Sequence, residues 1–216
     1  MLDARLKMII DPIVGRWGKR LYAFGISANR ITLAGLLIGV AAAVCIAYEL
    51  YLFALLLMGL SRLMDGLDGA VARAGKKTDL GGYLDIVFDF IFYGLIPLAF
   101  AFARPENALP AAILLMAFYA NGASFLAFAI MAEKRGLATD SHGSKSLYFT
   151  GGLAEAGETY IAFALFCLLP DWFGLIACIF AAMTAITTVS RILQAKILFG
   201  GIITPDLGES KATKAE

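Results

Sequence analysis

Charge is scarce in this chain. Only 16% of its 216 residues are Asp, Glu, Lys or Arg, against about 25% in ordinary soluble domains. Hydrophobic residues make up 60%, and the mean hydropathy is +0.79. This composition argues against a soluble globular protein and, at the other extreme, against a disordered one. An excess of one charge sign is missing too. The net charge of +1 and a pI of about 7.7 leave no basic footprint for nucleic acid. Cysteine is sparse: Cys45, Cys167 and Cys178 lie far apart in apolar runs and read as free, buried thiols rather than a disulfide or metal framework. His142 is the sole histidine and reads as a solvated loop residue. The first 24 residues lack the apolar core of a signal peptide. A Gly-rich phosphate loop, a Walker sequence and a zinc pattern are all absent.

What the chain has in abundance is long apolar segments. A spanning helix needs about 20 such residues, and six segments qualify, near 31–49, 51–72, 80–103, 108–132, 151–169 and 171–198. Ahead of them, Leu6, Ile9, Ile10, Ile13, Val14, Trp17 and Leu21 recur at helical spacing with basic residues between, which predicts an amphipathic helix over 2–24 lying in the membrane interface. The tail 205–216 is polar. With six spans, Arg5, Lys7, Arg16, Lys19, Arg20, Arg30, Arg73, Lys76, Lys77, Lys134, Arg135, Lys145, Arg191, Lys196, Lys211 and Lys214 fall on one side and Arg104 alone on the other. The positive-inside rule then places both termini in the cytoplasm. The expected fold is therefore an all-α integral membrane protein with six transmembrane helices and an N-terminal interface helix, as one domain over 1–204.

Against that background, Asp65, Asp68, Asp85 and Asp89 are out of place. Four deep, unpaired carboxylates would cost roughly 10 kcal/mol by insertion scales. Asp65 and Asp68 are three residues apart and Asp85 and Asp89 four, so each pair shares a helix face. The short connection between the two helices predicts an antiparallel hairpin on which the pairs converge. Converging carboxylates must protonate or bind cations. Oxygen-only ligands suit Mg²⁺ or Mn²⁺, and two such ions would clamp a phosphoryl group. Gly66, Gly69, Ala70, Ala72, Gly81 and Gly82 leave room for a ligand, and Arg73 offers a fork for a phosphate. For any single Asp, pairing with Arg62 or Arg73 is the plain alternative. Cation transport is the other reading of acidic residues in spans.

Asp65, Asp68, Gly69, Ala72 and Arg73, followed after seven residues by Gly81, then Asp85 and Asp89, resemble the signature of the CDP-alcohol phosphotransferase family. The Asn29–Thr32 segment at the start of the first span looks like that family as well. The resemblance implies a metal-dependent transferase that moves a phosphatidyl-type group from a CDP-linked lipid, CDP-diacylglycerol, to an alcohol, releasing CMP in phospholipid biosynthesis. It implies two divalent cations, Mg²⁺ or Mn²⁺, held by Asp65, Asp68, Asp85 and Asp89, with Asp89 also the general base. It implies contacts to the CDP moiety from Asn29, Thr32, Gly69, Arg73 and Thr78, and small side chains at Ala72 and Gly81 to admit the nucleotide. It also implies a homodimer in the cell (inner) membrane with a cytoplasmic active site. A CDP-choline or CDP-ethanolamine type of transferase acting on diacylglycerol is the alternative, and a divalent-cation transporter or an inactive lipid-binding homologue are the rivals of another class.

The acceptor alcohol is not specified by these residues. Members that take a phosphorylated acceptor carry basic residues near the end of the fourth span. Here residues 128–133 are largely apolar, with Lys134, Arg135 and Lys145 beyond. Glu155 and Glu158 share a helix face at the start of the fifth span, to contact a polar acceptor or to pair with Arg191 or Arg135.

Overall fold

The computed structural model describes residues 14–136 and 156–200. The residues described are helical with short connections, and no strand occurs among them. Helix α1 covers 14–23. It is followed by α2 (Ala28–Ala47), α3 (Tyr51–Ala74), α4 (Asp79–Ala103), α5 (Ala108–Lys134), α6 (Ala156–Leu168) and α7 (Phe173–Phe199). Single 3₁₀ turns opened by Pro105 and Pro170 lead into α5 and α7, because proline suits a first helical position and cannot continue the preceding helix.

Four stretches are long and apolar enough to cross a membrane: Ala28–Ala47, Asp79–Ala103, Pro105–Lys134 and Pro170–Phe199. Helix α3 is long enough, at 24 residues, but carries the charges already singled out. Helix α6 has 13 described residues. Large apolar side chains such as Leu37, Leu56, Phe102 and Ile197 point outward, as expected of a surface bathed in lipid rather than water. Cys45, Cys167 and Cys178 are free. Only Cys167 is buried. Cys178 is exposed on α7, a correction to the expectation of three buried thiols; an apolar run in a bundle has a lipid face as well as a core face.

The core is aromatic. Phe100 stacks on Phe173 with centroids 4.5 Å apart, and Phe166 meets both edge-on. Phe92, Tyr93, Phe118 and Phe163 extend the cluster toward the other end. Helix α2 packs closely against both α3 and α4, whereas α3 and α4 approach each other far less closely along their backbones. The expected α3–α4 hairpin is thus wedged apart by α2. Two glycines let α2 in. A methyl on Gly35 would sit 3.2 Å from Met64 Cβ, and one on Gly39 would sit 2.7 Å from Phe92 Cδ2. The buried Ser61 hydroxyl donates to the Gly35 carbonyl at 2.8 Å and fixes the crossing. Helix α1 lies across α3 where Gly18 meets the Ala70 backbone at 2.8 Å from a would-be Cβ. Ala70 is 4% exposed beneath it, so its small side chain serves this crossing and not a ligand, contrary to expectation.

Candidate functional site: a carboxylate cluster beneath a polar cavity

A cavity of about 510 Å³ lies among the ends of α2, α3 and α4. Asn29 and Thr32 of α2, Asp68, Gly69, Ala72 and Arg73 of α3, and Thr78, Gly81 and Asp85 at the start of α4 all line it. Tyr22 of α1, Lys76 and Lys77 complete the wall. These three lie outside the spaced motif, which is why spacing alone did not nominate them. A second, small recess continues beneath, bounded by Ser61, Arg62, Asp65, Phe88 and Asp89.

Local structure explains each placement. Thr78 caps α4, its hydroxyl accepting from the Gly81 amide at 3.1 Å, and this satisfies one of the orphan donors of a helix start. A methyl on Gly81 would sit 3.1 Å from Thr78 Oγ1 and 3.2 Å from Asn29 Oδ1, and one on Gly69 would sit 3.2 Å from Arg73 Nη1. The glycines therefore let polar side chains close over the cavity. Gly66 and Gly82 face open space. Thr32 turns its hydroxyl back to the Ala28 carbonyl at 3.0 Å.

Asp65, Asp68 and Asp85 converge: each offers a carboxylate oxygen, and the three lie within 4.8 Å of one another. Asp68 is 6% exposed, and its Oδ2 is buried without a hydrogen-bond partner. An orphaned carboxylate oxygen among two others is a poor arrangement for a bare protein. It fits a hard cation such as Mg²⁺ or Mn²⁺, which takes oxygen ligands only. Asp68 and Asp85 each lie six residues from the cavity ends of α3 and α4, about 9 Å along each helix, and Asp65 and Asp89 lie deeper, at about 14–15 Å. The cavity gives Asp68 and Asp85 access to water-borne groups.

Asp89 lines the same small recess as these three. Its Oδ1 accepts from Arg62 Nη1 at 2.7 Å. Arg62 Nη1 also donates to the Tyr160 phenol at 2.5 Å and lies 3.7 Å from Asp65. The Tyr160 and Tyr93 hydroxyls are 3.2 Å apart. Arg62 was the plain alternative for pairing a single Asp; here it pairs chiefly with Asp89. Tyr160 and Tyr93 belong to this floor unannounced, because nothing in their spacing marks them within aromatic-rich spans.

Elsewhere, Arg191 Nη1 donates to the Asn121 carbonyl and Oδ1 and to Ser124. Arg135 donates to the carbonyls of Leu198 and Phe199. Glu155, Lys145 and His142 lie outside the described residues, as do 2–13 of the expected interface helix and the 205–216 tail.

Comparison with known proteins adds a family frame. The sequence profile described as CDP-alcohol phosphatidyltransferase matches residues 26–193. The chain is 46% identical over 193 residues to the inner membrane protein YnjF of Escherichia coli, covering 89% of this chain and 94% of that one. It is 35% identical over 91 residues to the archaetidylinositol phosphate synthase of Pyrococcus horikoshii, covering 40% and 46% of the two chains. Among solved structures it resembles the phosphatidylinositol phosphate synthase of Mycobacterium tuberculosis with CDP-DAG bound, with a TM-score of 0.66 at 21% identity over 86% of this chain and 94% of that one. The same synthase in complex with manganese and citrate gives a TM-score of 0.66 at 21% identity, covering 84% and 88%.

Proposed function

The chain belongs to the CDP-alcohol phosphatidyltransferase family, and on that premise we propose that it transfers a phosphatidyl-type group from CDP-diacylglycerol to the hydroxyl of an alcohol, with release of CMP. The observation that carries the reading is the meeting of Asp65, Asp68 and Asp85 within 4.8 Å, one of their oxygens orphaned, directly beneath a cavity walled by Arg73, Lys76 and Lys77. Carboxylates suit cations, and the basic wall suits a pyrophosphate.

Asp65, Asp68, Asp85 and Asp89 would hold two divalent cations, Mg²⁺ or Mn²⁺. Bound there, such ions would supply positive charge to offset the donor pyrophosphate and the charge that develops on it. Gly69, Arg73, Thr78, Asn29 and Thr32 embrace the CDP moiety, and Ala72 and Gly81 leave it space. Asp89 accepts the proton of the acceptor hydroxyl. The resulting oxygen forms a bond to the lipid-side phosphorus, the bond from that phosphorus to the CMP oxygen breaks, and CMP departs. The contribution of the protein is positioning and charge stabilisation.

The same reading sets the topology. Helices α2–α7 form six spans of a single domain over 1–204, with the 2–24 segment in the interface. The site-end residues Arg16, Lys19, Arg20, Arg30, Arg73, Lys76, Lys77, Lys134 and Arg135 face the cytoplasm, in keeping with the positive-inside rule. The acceptor is an alcohol of unassigned identity, and the working unit is a homodimer in the inner membrane.

Purified protein incubated with Mn²⁺, radiolabelled CDP-diacylglycerol and a panel of phosphorylated and unphosphorylated alcohols is expected to release CMP with one of them. Asp89→Asn should abolish transfer while sparing much of the donor binding, and EDTA should stop turnover. Absence of CMP release with every alcohol, alongside Mn²⁺ flux into liposomes, would overturn the reading in favour of transport.

A further inference from the structure

Among the described residues, Tyr22 of α1 is the one aromatic side chain in the wall of the large cavity. It comes from outside the helices that carry the spaced motif, and two glycines far apart in sequence hold it in place. The first is Gly25, at φ +76°. Its amide donates to the Tyr22 carbonyl at 2.9 Å, and the following amide, of Ile26, donates to the Leu21 carbonyl at 3.1 Å. This is the paired closure that a left-handed glycine gives a helix C-terminus. It fixes Tyr22 in the last turn of α1, just before the chain enters α2. The second is Gly75, the C-cap of α3. A methyl there would sit 2.8 Å from Tyr22 Cδ2 and 3.0 Å from Cζ. Glycine at this position lets the ring lie against the backbone that joins α3 to α4.

Packing on Gly75 accounts for only one side of the ring, because Tyr22 remains 51% exposed. The open part lies in a cavity whose other named groups suit phosphate and cations: Arg73, Lys76, Lys77, Asp68 and Asp85. None of these offers a flat surface to a heterocycle. Asp68 lies seven residues before Gly75, about 10 Å along α3. A diphosphate held between the carboxylates and the basic wall therefore leaves room for a sugar before a base reaches the ring. We propose that Tyr22 is a donor-binding residue, its ring the platform on which the cytosine base of the CDP group stacks. This deepens the donor assignment made above and rests on it. Aromatic rings and bases stack in offset or edge-on arrangements, and such contacts are tolerant of base identity because every base has a π-face. Tyr22 thus adds affinity for a nucleotide over a bare diphosphate. The interface helix α1 thereby supplies the site with a group that the motif of α3 and α4 lacks.

Isothermal titration calorimetry of the full-length protein in lipid nanodiscs with Mn²⁺ tests this, with CDP and inorganic pyrophosphate as the two probes. Tyr22→Leu should weaken CDP binding about tenfold, the size of one base–aromatic stack, and pyrophosphate binding by less than about twofold. Tyr22→Phe keeps the ring and should stay within about twofold of wild type for both probes. Gly75→Ala keeps the tyrosine but displaces it, and should weaken CDP with the same selectivity. It carries the comparison if Tyr22→Leu does not fold. Unchanged CDP affinity in folded Tyr22→Leu would overturn the inference. So would equal losses for the two probes, since the ring would then only shape the cavity. A wild-type protein that binds no CDP would overturn the donor assignment and this inference with it, whereas CDP binding indifferent to the ring overturns the inference alone.

Discussion

Gly39 offers a quantitative test of how α2 is wedged between its neighbours. A methyl at this position would lie 2.7 Å from Phe92 Cδ2, 3.2 Å from Cε2 and 3.4 Å from Ser61 Oγ. The Phe92 ring has little freedom to yield. It is 1% exposed, and the rings of Tyr93, Tyr160 and Phe163 surround it at centroid distances of 6.2, 6.4 and 6.1 Å. Overpacking of this kind costs about 1–3 kcal/mol. Against it stands the intrinsic preference of helices for alanine over glycine, about 1 kcal/mol. Gly39→Ala should therefore be neutral to about 2 kcal/mol destabilising. Gly59 of α3 supplies the control, since a methyl there meets nothing within 4 Å. Gly59→Ala should express the helix preference alone and gain up to about 1 kcal/mol. The gap between the two variants, about 1–3 kcal/mol, is the clash itself. Reversible unfolding in mixed detergent micelles, followed by circular dichroism, measures it. If the two variants unfold together, or Gly39→Ala is the more stable, the close packing of α2 on Phe92 is wrong.

Two further outcomes follow from the two ends of the bundle. At the end away from the cavity, Arg104 donates to Glu49 at 3.2 and 3.1 Å and to Asp171 at 2.6 Å, tying the α2–α3 turn to the link before α7. The Arg104 hydrogen bond, helped by its charge, holds the Glu49 carboxyl below the ordinary glutamate range. A lowered value means the contribution is complete above the ordinary value, about 4.3, and is lost as pH falls through the folded one. Wild-type unfolding temperature should thus drop more steeply than that of Arg104→Gln on acidification below about pH 4, and parallel profiles would contradict the clasp. At the cavity end, Gly81→Val should raise the KM for CDP-diacylglycerol about tenfold or more, because it places a branched side chain between Thr78 and Asn29; an unchanged KM would take Gly81 out of the nucleotide wall.

The cluster was legible because its logic is local. Spacings of three and four residues put Asp65 with Asp68 and Asp85 with Asp89 on shared faces, and a short loop joins the two helices. Three of the four carboxylates then meet as expected. What the sequence could not show is which helix stands between others. Apolar periodicity is nearly the same on every span, so nothing in it reveals that α2 separates α3 from α4, and the same blindness hid the exposure of Cys178. Contacts distant in sequence were equally hidden. Arg62 and Asp89 are 27 positions apart and Arg62 and Tyr160 are 98, and a tyrosine in a span has many reasons to be there. Ala70 misled for a related reason: a small residue that admits a ligand and one that admits a helix look alike in a sequence.

The wedge of α2 and the acidic cluster are two aspects of one arrangement. Had α3 and α4 packed backbone to backbone, four carboxylates would face one another across a dry interface, a placement that costs roughly 10 kcal/mol by insertion scales. With Gly35, Gly39 and Ser61 drawing α2 between them, the cavity opens at the ends that carry Ala72, Arg73 and Gly81. Water and ions can then reach the exposed Asp85 and Asp68, whose burial would otherwise be prohibitive. Deeper in, beyond the cavity, a protein cation replaces the solvent: Arg62 meets Asp89 and nears Asp65. The charge along this axis is therefore graded, with basic residues at the rim, three carboxylates below them and a guanidinium beneath. Such a gradient draws an anionic nucleotide to the mouth, holds cations at the middle, and limits how far they descend.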